Sequence, residues 1–408
     1  MYEVCPRLWY LLMKILVLNC GSSSLKFKVF SDRDLYWLAG GMVERIGQPD
    51  SRLRLTWAGG ENEWPGAAPD HRIALQRVFH LLTQHDIVAD PTQLGVVGHR
   101  VVHGGDRFRT PLLIDAASLE ELRQLTPLAP LHHPANLRGI ELATALCQGV
   151  PQVAVFDTAF HHTLPPRAWR YALPAWTWHE YQVRRYGFHG TSVQYVSRRA
   201  AKWLDRPIEE LNLIVLHLGN GASVTAVQGG RSIDTSMGMT PLEGVVMGTR
   251  CGDIDASVPF YLMRQTGLDV TAVERMLFFE SGLHGLCGSG DMRTVRAHAA
   301  AGDADAQLAL DVAGYRLKKY IGAYSAALGR VDAVIFTAGI GENDADMRQR
   351  ACNGLELFGI HLDSARNGAE GTDERCVSRD DSPVQIWVIP TDEELEIARI
   401  ALDFITTA

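Results

Sequence analysis

From Lys14 to Asn19 the chain is almost purely aliphatic. Four small or polar residues follow at Gly21–Ser24, and Leu25–Phe30 then alternates between apolar and polar positions. This pattern predicts a buried strand, a tight turn and a second strand. It recurs with Leu213–Leu218, a turn at Gly219–Ser223, and Val224–Val227. A third apolar run, Ala333–Phe336, leads into the glycine turn Thr337–Asn343. The first two units lie about 200 residues apart, too far for a solenoid repeat, and so predict a duplicated α/β core. Helical spacing marks Ala116–Leu125, Pro134–Leu146, Ser192–Leu204, Ser257–Thr266 and Ala304–Leu328. The polar stretch 363–382 reads as a surface excursion. Val384–Ile389 is a further strand, and Glu393–Ile405 a closing helix with Thr391 as its N-cap.

Length and composition narrow this picture. The chain has 408 residues, 46% hydrophobic and 21% charged. These values exclude intrinsic disorder and fit two domains, or three. A net charge of −8 leaves no basic field that would gather nucleic acid. The seven cysteines are odd in number, scattered and without a C-x-x-C pair, which argues against a disulfide framework or zinc cluster and fits a cytoplasmic protein. Residues 9–18 are apolar but interrupted by Lys14, too short to span a membrane and without a cleavage site of small residues. The expected start of the folded protein is therefore Met13, with 1–12 as an extension.

Several segments could carry chemistry. The turn Asn19–Lys26 presents backbone N–H groups that can cradle phosphate, with Lys26 as a point charge, or it is an ordinary hairpin. His217–Ser223 and Gly339–Asn343 are further glycine turns at strand ends, and the three together are expected of a split nucleotide site. Arg100 lies in a Val-rich strand, where a cation needs a partner: a ligand or a structural ion pair. Arg250 sits between glycines in a loop, as an anion-reaching or a merely solvated Arg would. Asp157 ends a buried strand, at a ligand crevice or as a turn Asp. His189, between Phe188 and Gly190, could donate to a developing anion or satisfy the core, and His132 is similar.

In this order, the segments Asn19–Phe27, Gly98–Gly105, Ala129–Pro134, Val155–His161, Arg184–Ser192, His217–Ser223, Asp234–Asp255, Thr337–Asn343 and Ile389–Arg399 resemble the acetate kinase and propionate kinase family. That resemblance spans the chain from Lys14 onward. It implies the actin-like ATPase architecture: two duplicated RNase-H-like α/β domains, each a mixed sheet flanked by helices, with an interdomain cleft. Domain I would comprise 13–161 with 394–408, and domain II 162–393. It also implies reversible phosphoryl transfer from ATP to acetate or propionate, giving an acyl phosphate and ADP, in a cytoplasmic homodimer that binds neither membrane nor nucleic acid.

The resemblance assigns roles residue by residue. Asn19 and Glu393 would place Mg²⁺, with Mn²⁺ as an alternative. Arg100 and Arg250 would clamp acyl and phosphoryl oxygens. Asp157 would be the catalytic carboxylate and His189 the donor to the transferring phosphoryl, with His132 nearby. Lys26, His217, Asn220 and Gly221 would meet phosphates. Asp291, Arg293, Gly339, Ile340, Gly341 and Asn343 would form the nucleotide side. Val102, Leu131, Phe188 and Pro241 would wall the acyl tail. Departures from the family pattern are Asp392 and His133 where Asn is usual, Val193 for His, Cys251 for Ser, and a shortened loop at 286–291. Competing expectations are a sugar kinase of the same superfamily, which usually begins with an acidic residue where this chain has Asn19, and a nucleotide-binding chaperone or filament protein, for whose extra domain 408 residues leave no room.

Overall fold

The computed structural model describes residues 13–66 and 68–407, so the expected extension 1–12 lies outside the described residues. The chain forms two compact units, Met1–Ala159 with Asp392–Ala408, and Phe160–Thr391.

In unit 1 the strands are β1 (Lys14–Cys20), β2 (Leu25–Ser31), β3 (Trp37–Glu44), β4 (Arg52–Trp57), β5 (Gly60–Pro65), β6 (Val96–Val101), β7 (Leu112–Leu113) and β8 (Gln152–Phe156). They form one sheet in the order β5-β4-β3-β2-β1-β6-β8-β7. The β1–β5 meander is antiparallel, and β1, β6 and β8 run parallel. The aliphatic run of β1 is explained by burial on both faces. Leu16 and Leu18 pack with Leu75, Val78, Leu142 and Ala143 of the helices His71–Gln84 and His133–Leu146. Ile15 and Val17 pack with Val153, Val155 and with Ile397, Ala398 and Ala401 of the closing helix Glu393–Thr407. That helix lies so close to β6 that a Cβ on Gly98 would stand 2.9 Å from Ile397.

Unit 2 repeats the scheme. Its strands are β9 (Asn212–Leu218), β10 (Ala222–Gln228), β11 (Arg231–Thr235), β12 (Ala333–Thr337), β13 (Arg375–Cys376) and β14 (Gln385–Val388), in the order β11-β10-β9-β12-β14-β13. β9, β10 and β11 are antiparallel neighbours, and β9, β12 and β14 run parallel. The succession β11-β10-β9-β12-β14 thus has the pairing of β3-β2-β1-β6-β8. This is the duplicated actin-like α/β core, with mixed sheets flanked by helices.

Three local expectations are corrected. The closing helix is capped by Asp392, whose Oδ1 accepts from the Leu395 N–H at 2.9 Å. Thr391 instead bonds Ser192 through its hydroxyl and gives its N–H to Glu342. Asp outcompetes Thr here because its carboxylate also meets Lys28 at 2.8 Å and favours the positive end of the helix dipole. Residues 337–343 are not an open turn: Ala338, at φ +63°, starts a short helix Ala338–Asn343. The stretch 363–382 is more than surface, because β13 pairs with β14 and Val377 is fully buried.

Removing the observed cap tests this assignment. Asp392→Ala should cost about 1 kcal/mol of stability, whereas Asp392→Asn, which keeps an acceptor, should cost little. Urea unfolding followed by circular dichroism reads both.

Candidate active site

In unit 1 the functional side chains stand at the ends of adjacent parallel strands, where open α/β sheets bind ligands. Asn19 is at the end of β1, Arg100 near the end of β6, and Asp157 follows β8 with its N–H bonded to the Val101 carbonyl. The Arg100 guanidinium is held by Asp157 at 2.5 Å through Nη2 and 3.2 Å through Nε. Its Nη1 donates to Asn19 Oδ1 at 3.3 Å, and Glu393 lies 3.5 Å from Nε. Burial opposes the charge on Arg100, but Asp157 and Glu393 outweigh it and hold the pKa above its ordinary value. Asp157 is only 1% exposed, so Arg100 is the cation that makes its burial tolerable.

This places Asn19, Arg100, Asp157 and Glu393 together. The Lys26 ammonium, half exposed, pairs with Glu394 at 2.8 Å. Burial works against ionisation of Glu394, yet Lys26 and Lys28 keep its carboxyl below the usual range. Val102 is buried, Leu131 is exposed, and His132 precedes the helix His133–Leu146. His133, the departure from the family pattern, is fully buried with Nε2 against the His103 carbonyl, and burial lowers its pKa.

One residue of this half was missed by sequence reasoning. Buried Asn136 donates to the Cys20 carbonyl at 2.8 Å and accepts from the Val102 N–H at 3.1 Å. It therefore ties the turn after Asn19 to the strand end that carries Arg100 and Val102. The available signal was an amide on the first turn of a predicted helix, directly after the His132-His133-Pro134 motif.

In unit 2, His189 stands at φ +59° before the helix Gly190–Trp203. Its Nδ1 lies 3.0 Å from the Ser223 hydroxyl, and its ring stacks on His217 at 4.0 Å. His217 Nδ1 meets Ser192 Oγ at 2.8 Å, which in turn meets Thr391 Oγ1. A Cβ on Gly221 would stand 3.2 Å from Arg250 Nη1 and 3.6 Å from His189 Nε2, so those two groups border this glycine. Arg250 donates to the Pro241 carbonyl and the Met247 sulfur. No carboxylate pairs with it among the described residues, and burial lowers its pKa. A half-buried guanidinium without a counter-ion is a place for an anion. Phe188 is buried, and its carbonyl accepts from His161.

Unit 2 also holds a cavity of about 790 Å³, within the range of small-molecule sites. Asn220, Asp291, Arg293, Gly339, Ile340 and Asn343 line it together, as expected of a nucleotide side. Arg296 and Asp344, which pair with each other, line it as well and were not anticipated. Asp291 caps the helix Met292–Ala300 and forms a two-point ion pair with Arg293, whose hydrogen bond holds its carboxyl down to about 2. A Cβ on Gly248 would stand 2.1 Å from Asn220 Oδ1 and 3.0 Å from the Gly290 carbonyl, so a side chain there would displace the Asn220 amide. Gly341 is buried, with its carbonyl accepting from Arg348, and His217 belongs to the histidine stack. Among the described residues no group of three His, Cys, Asp or Glu could hold a metal, and no helix is long and apolar enough to cross a membrane.

Comparison with known proteins now bears on this geometry. The sequence profile of the acetokinase family matches residues 14–399. An acetate kinase of Streptomyces avermitilis is 53% identical over 397 residues, covering 97% of this chain and 98% of that protein. An acetate kinase of Syntrophobacter fumaroxidans is 50% identical over 402 residues, covering 97% and 98%. Among solved structures, acetate kinase of Porphyromonas gingivalis superposes with a TM-score of 0.90 at 41% identity, over 96% of this chain and 100% of that one. A propionate kinase of Francisella tularensis superposes with 0.89 at 40%, over 96% and 99%.

The two arginines predict opposite effects on stability. Arg100→Ala leaves the buried Asp157 carboxylate without its cation and should cost about 3 kcal/mol, whereas Arg250→Ala removes an uncompensated charge and should leave the thermal midpoint unchanged or higher. Differential scanning calorimetry of both variants reads the contrast.

Proposed function

The chain belongs to the acetokinase family, and on that premise we propose that it catalyses reversible transfer of the ATP γ-phosphoryl group to acetate, giving acetyl phosphate and ADP, with propionate as a slower alternative. The observation that carries this reading is Arg250: a half-buried guanidinium without a carboxylate partner among the described residues, beside His189 and Gly221. An acetate oxygen attacks the γ-phosphorus, the bond to the β,γ-bridging oxygen breaks, and ADP leaves with that electron pair. Acetate is ionised at neutral pH, so no base must create the nucleophile. The difficulty is bringing two anions together, which calls for placement and charge stabilisation rather than covalent help.

The residues present suit those tasks. Arg100 and Arg250 neutralise acyl and phosphoryl oxygens. Asp157 fixes the Arg100 fork and assists in orienting the acyl group. His189, with His132 in support, donates to the transferring phosphoryl. Asn220 and Gly221 meet phosphate oxygens, and the cavity lined by Asp291, Arg293, Gly339, Ile340 and Asn343 takes the nucleoside. Val102, Leu131, Phe188 and Pro241 supply the apolar wall for the methyl group.

The Asn19 amide oxygen and the Glu393 carboxylate fit a magnesium ion that arrives with ATP, because Mg²⁺ favours a few oxygen donors completed by phosphate and water. They would hold it, and its charge would screen the phosphate oxygens. The enzyme works in the cytoplasm as a homodimer. The helix Val258–Thr266 supports the dimer: none of its residues is buried, with Phe260 60% and Tyr261 57% exposed. Sedimentation velocity should give twice the 45.0 kDa chain mass, and a monomer would remove this element.

A hydroxamate assay with Mg·ATP tests the reaction. Acyl hydroxamate should form from acetate and, more slowly, from propionate, and no product from either would defeat the proposal. Arg100→Ala and Arg250→Ala should each lower turnover at least about a hundredfold. Val102→Ala should shift preference toward longer acids by roughly the tenfold that one methylene is worth.

A further inference from the structure

Ser223 lies in β10 with no exposed surface, and its hydroxyl is 3.0 Å from His189 Nδ1. No other partner is present for that hydroxyl among the described residues. A buried hydroxyl proton left without an acceptor is costly. It can be used only if Nδ1 offers its lone pair, which puts the ring proton on Nε2. In the reverse tautomer Nδ1–H would donate to the Ser223 oxygen and leave the hydroxyl proton without an acceptor. We propose that Ser223 is a positioning residue that fixes His189 as the Nε2–H tautomer.

The Nε2 end is the one that matters for transfer. It lies with Arg250 Nη1 beside Gly221, where a Cβ would be within 3.6 Å of both. The ring has little freedom to turn over, because it stacks on His217 at a 17° interplanar angle and a flip would forfeit the Ser223 bond. His217 is itself held through Nδ1 by Ser192. The inference rests on the kinase reading in one respect: the substrate facing Nε2–H is a phosphoryl oxygen. Which nitrogen carries the proton does not depend on that reading.

The test uses the full-length protein labelled with ¹⁵N at histidine, with the His189 signals assigned by comparison with His189→Gln. The wild type should show the proton on Nε2 and an Nδ1 that accepts a hydrogen bond. Ser223→Ala should lose the hydrogen-bond shift at Nδ1 and populate the other tautomer. Its kcat should fall about tenfold with both KM values within about twofold, and Ser223→Thr should restore it. A proton on Nδ1 in the wild type, or an unchanged His189 spectrum in Ser223→Ala, overturns the proposal. If Ser223→Ala does not fold, the wild-type spectrum alone decides. A protein that makes no acyl phosphate yet shows this tautomer pattern defeats the kinase reading and leaves the role of Ser223 standing.

Discussion

The Arg100–Asp157 ion pair is the interaction on which the cluster of polar side chains in unit 1 depends. A carboxylate this buried cannot remain ionised without a cation, and a guanidinium in an apolar strand cannot remain without an anion. Each makes the other tolerable, and the parallel pairing of β6 with β8 brings them side by side. Nη1 then donates to Asn19, and Glu393 lies 3.5 Å from the same Nε that donates to Asp157, so one ion pair sets the geometry of the whole cluster.

The same fold treats its second arginine differently. Arg250, half-buried, donates to a carbonyl and a thioether, neither of which compensates its charge. Arg100 has Asp157 and Glu393 beside it, whereas no carboxylate pairs with Arg250 among the described residues.

Glycines and polar side chains make these placements possible. Gly248 clears room for the Asn220 side chain, and Gly221 leaves the border with Arg250 and His189 open. Asn136 satisfies two backbone groups at once and joins two strand ends that are far apart in sequence. These are close approaches that any larger or apolar side chain would prevent.

Periodicity alone determined the buried strands at Lys14–Asn19, Leu213–Leu218 and Ala333–Phe336 and the long helices, because burial on both faces demands unbroken aliphatic runs. It did not reveal the β3–β5 meander, whose edge strand is largely exposed and carries little apolar signal. The ordered motifs pointed to the family, whose profile matches residues 14–399. Only the tertiary structure decided side-chain partners. Asp392, not Thr391, caps the closing helix and also meets Lys28, and Lys26 pairs with Glu394, at the far end of the chain. Charge pairing between distant segments is a property of assembled neighbours, and local pattern carries no information about it.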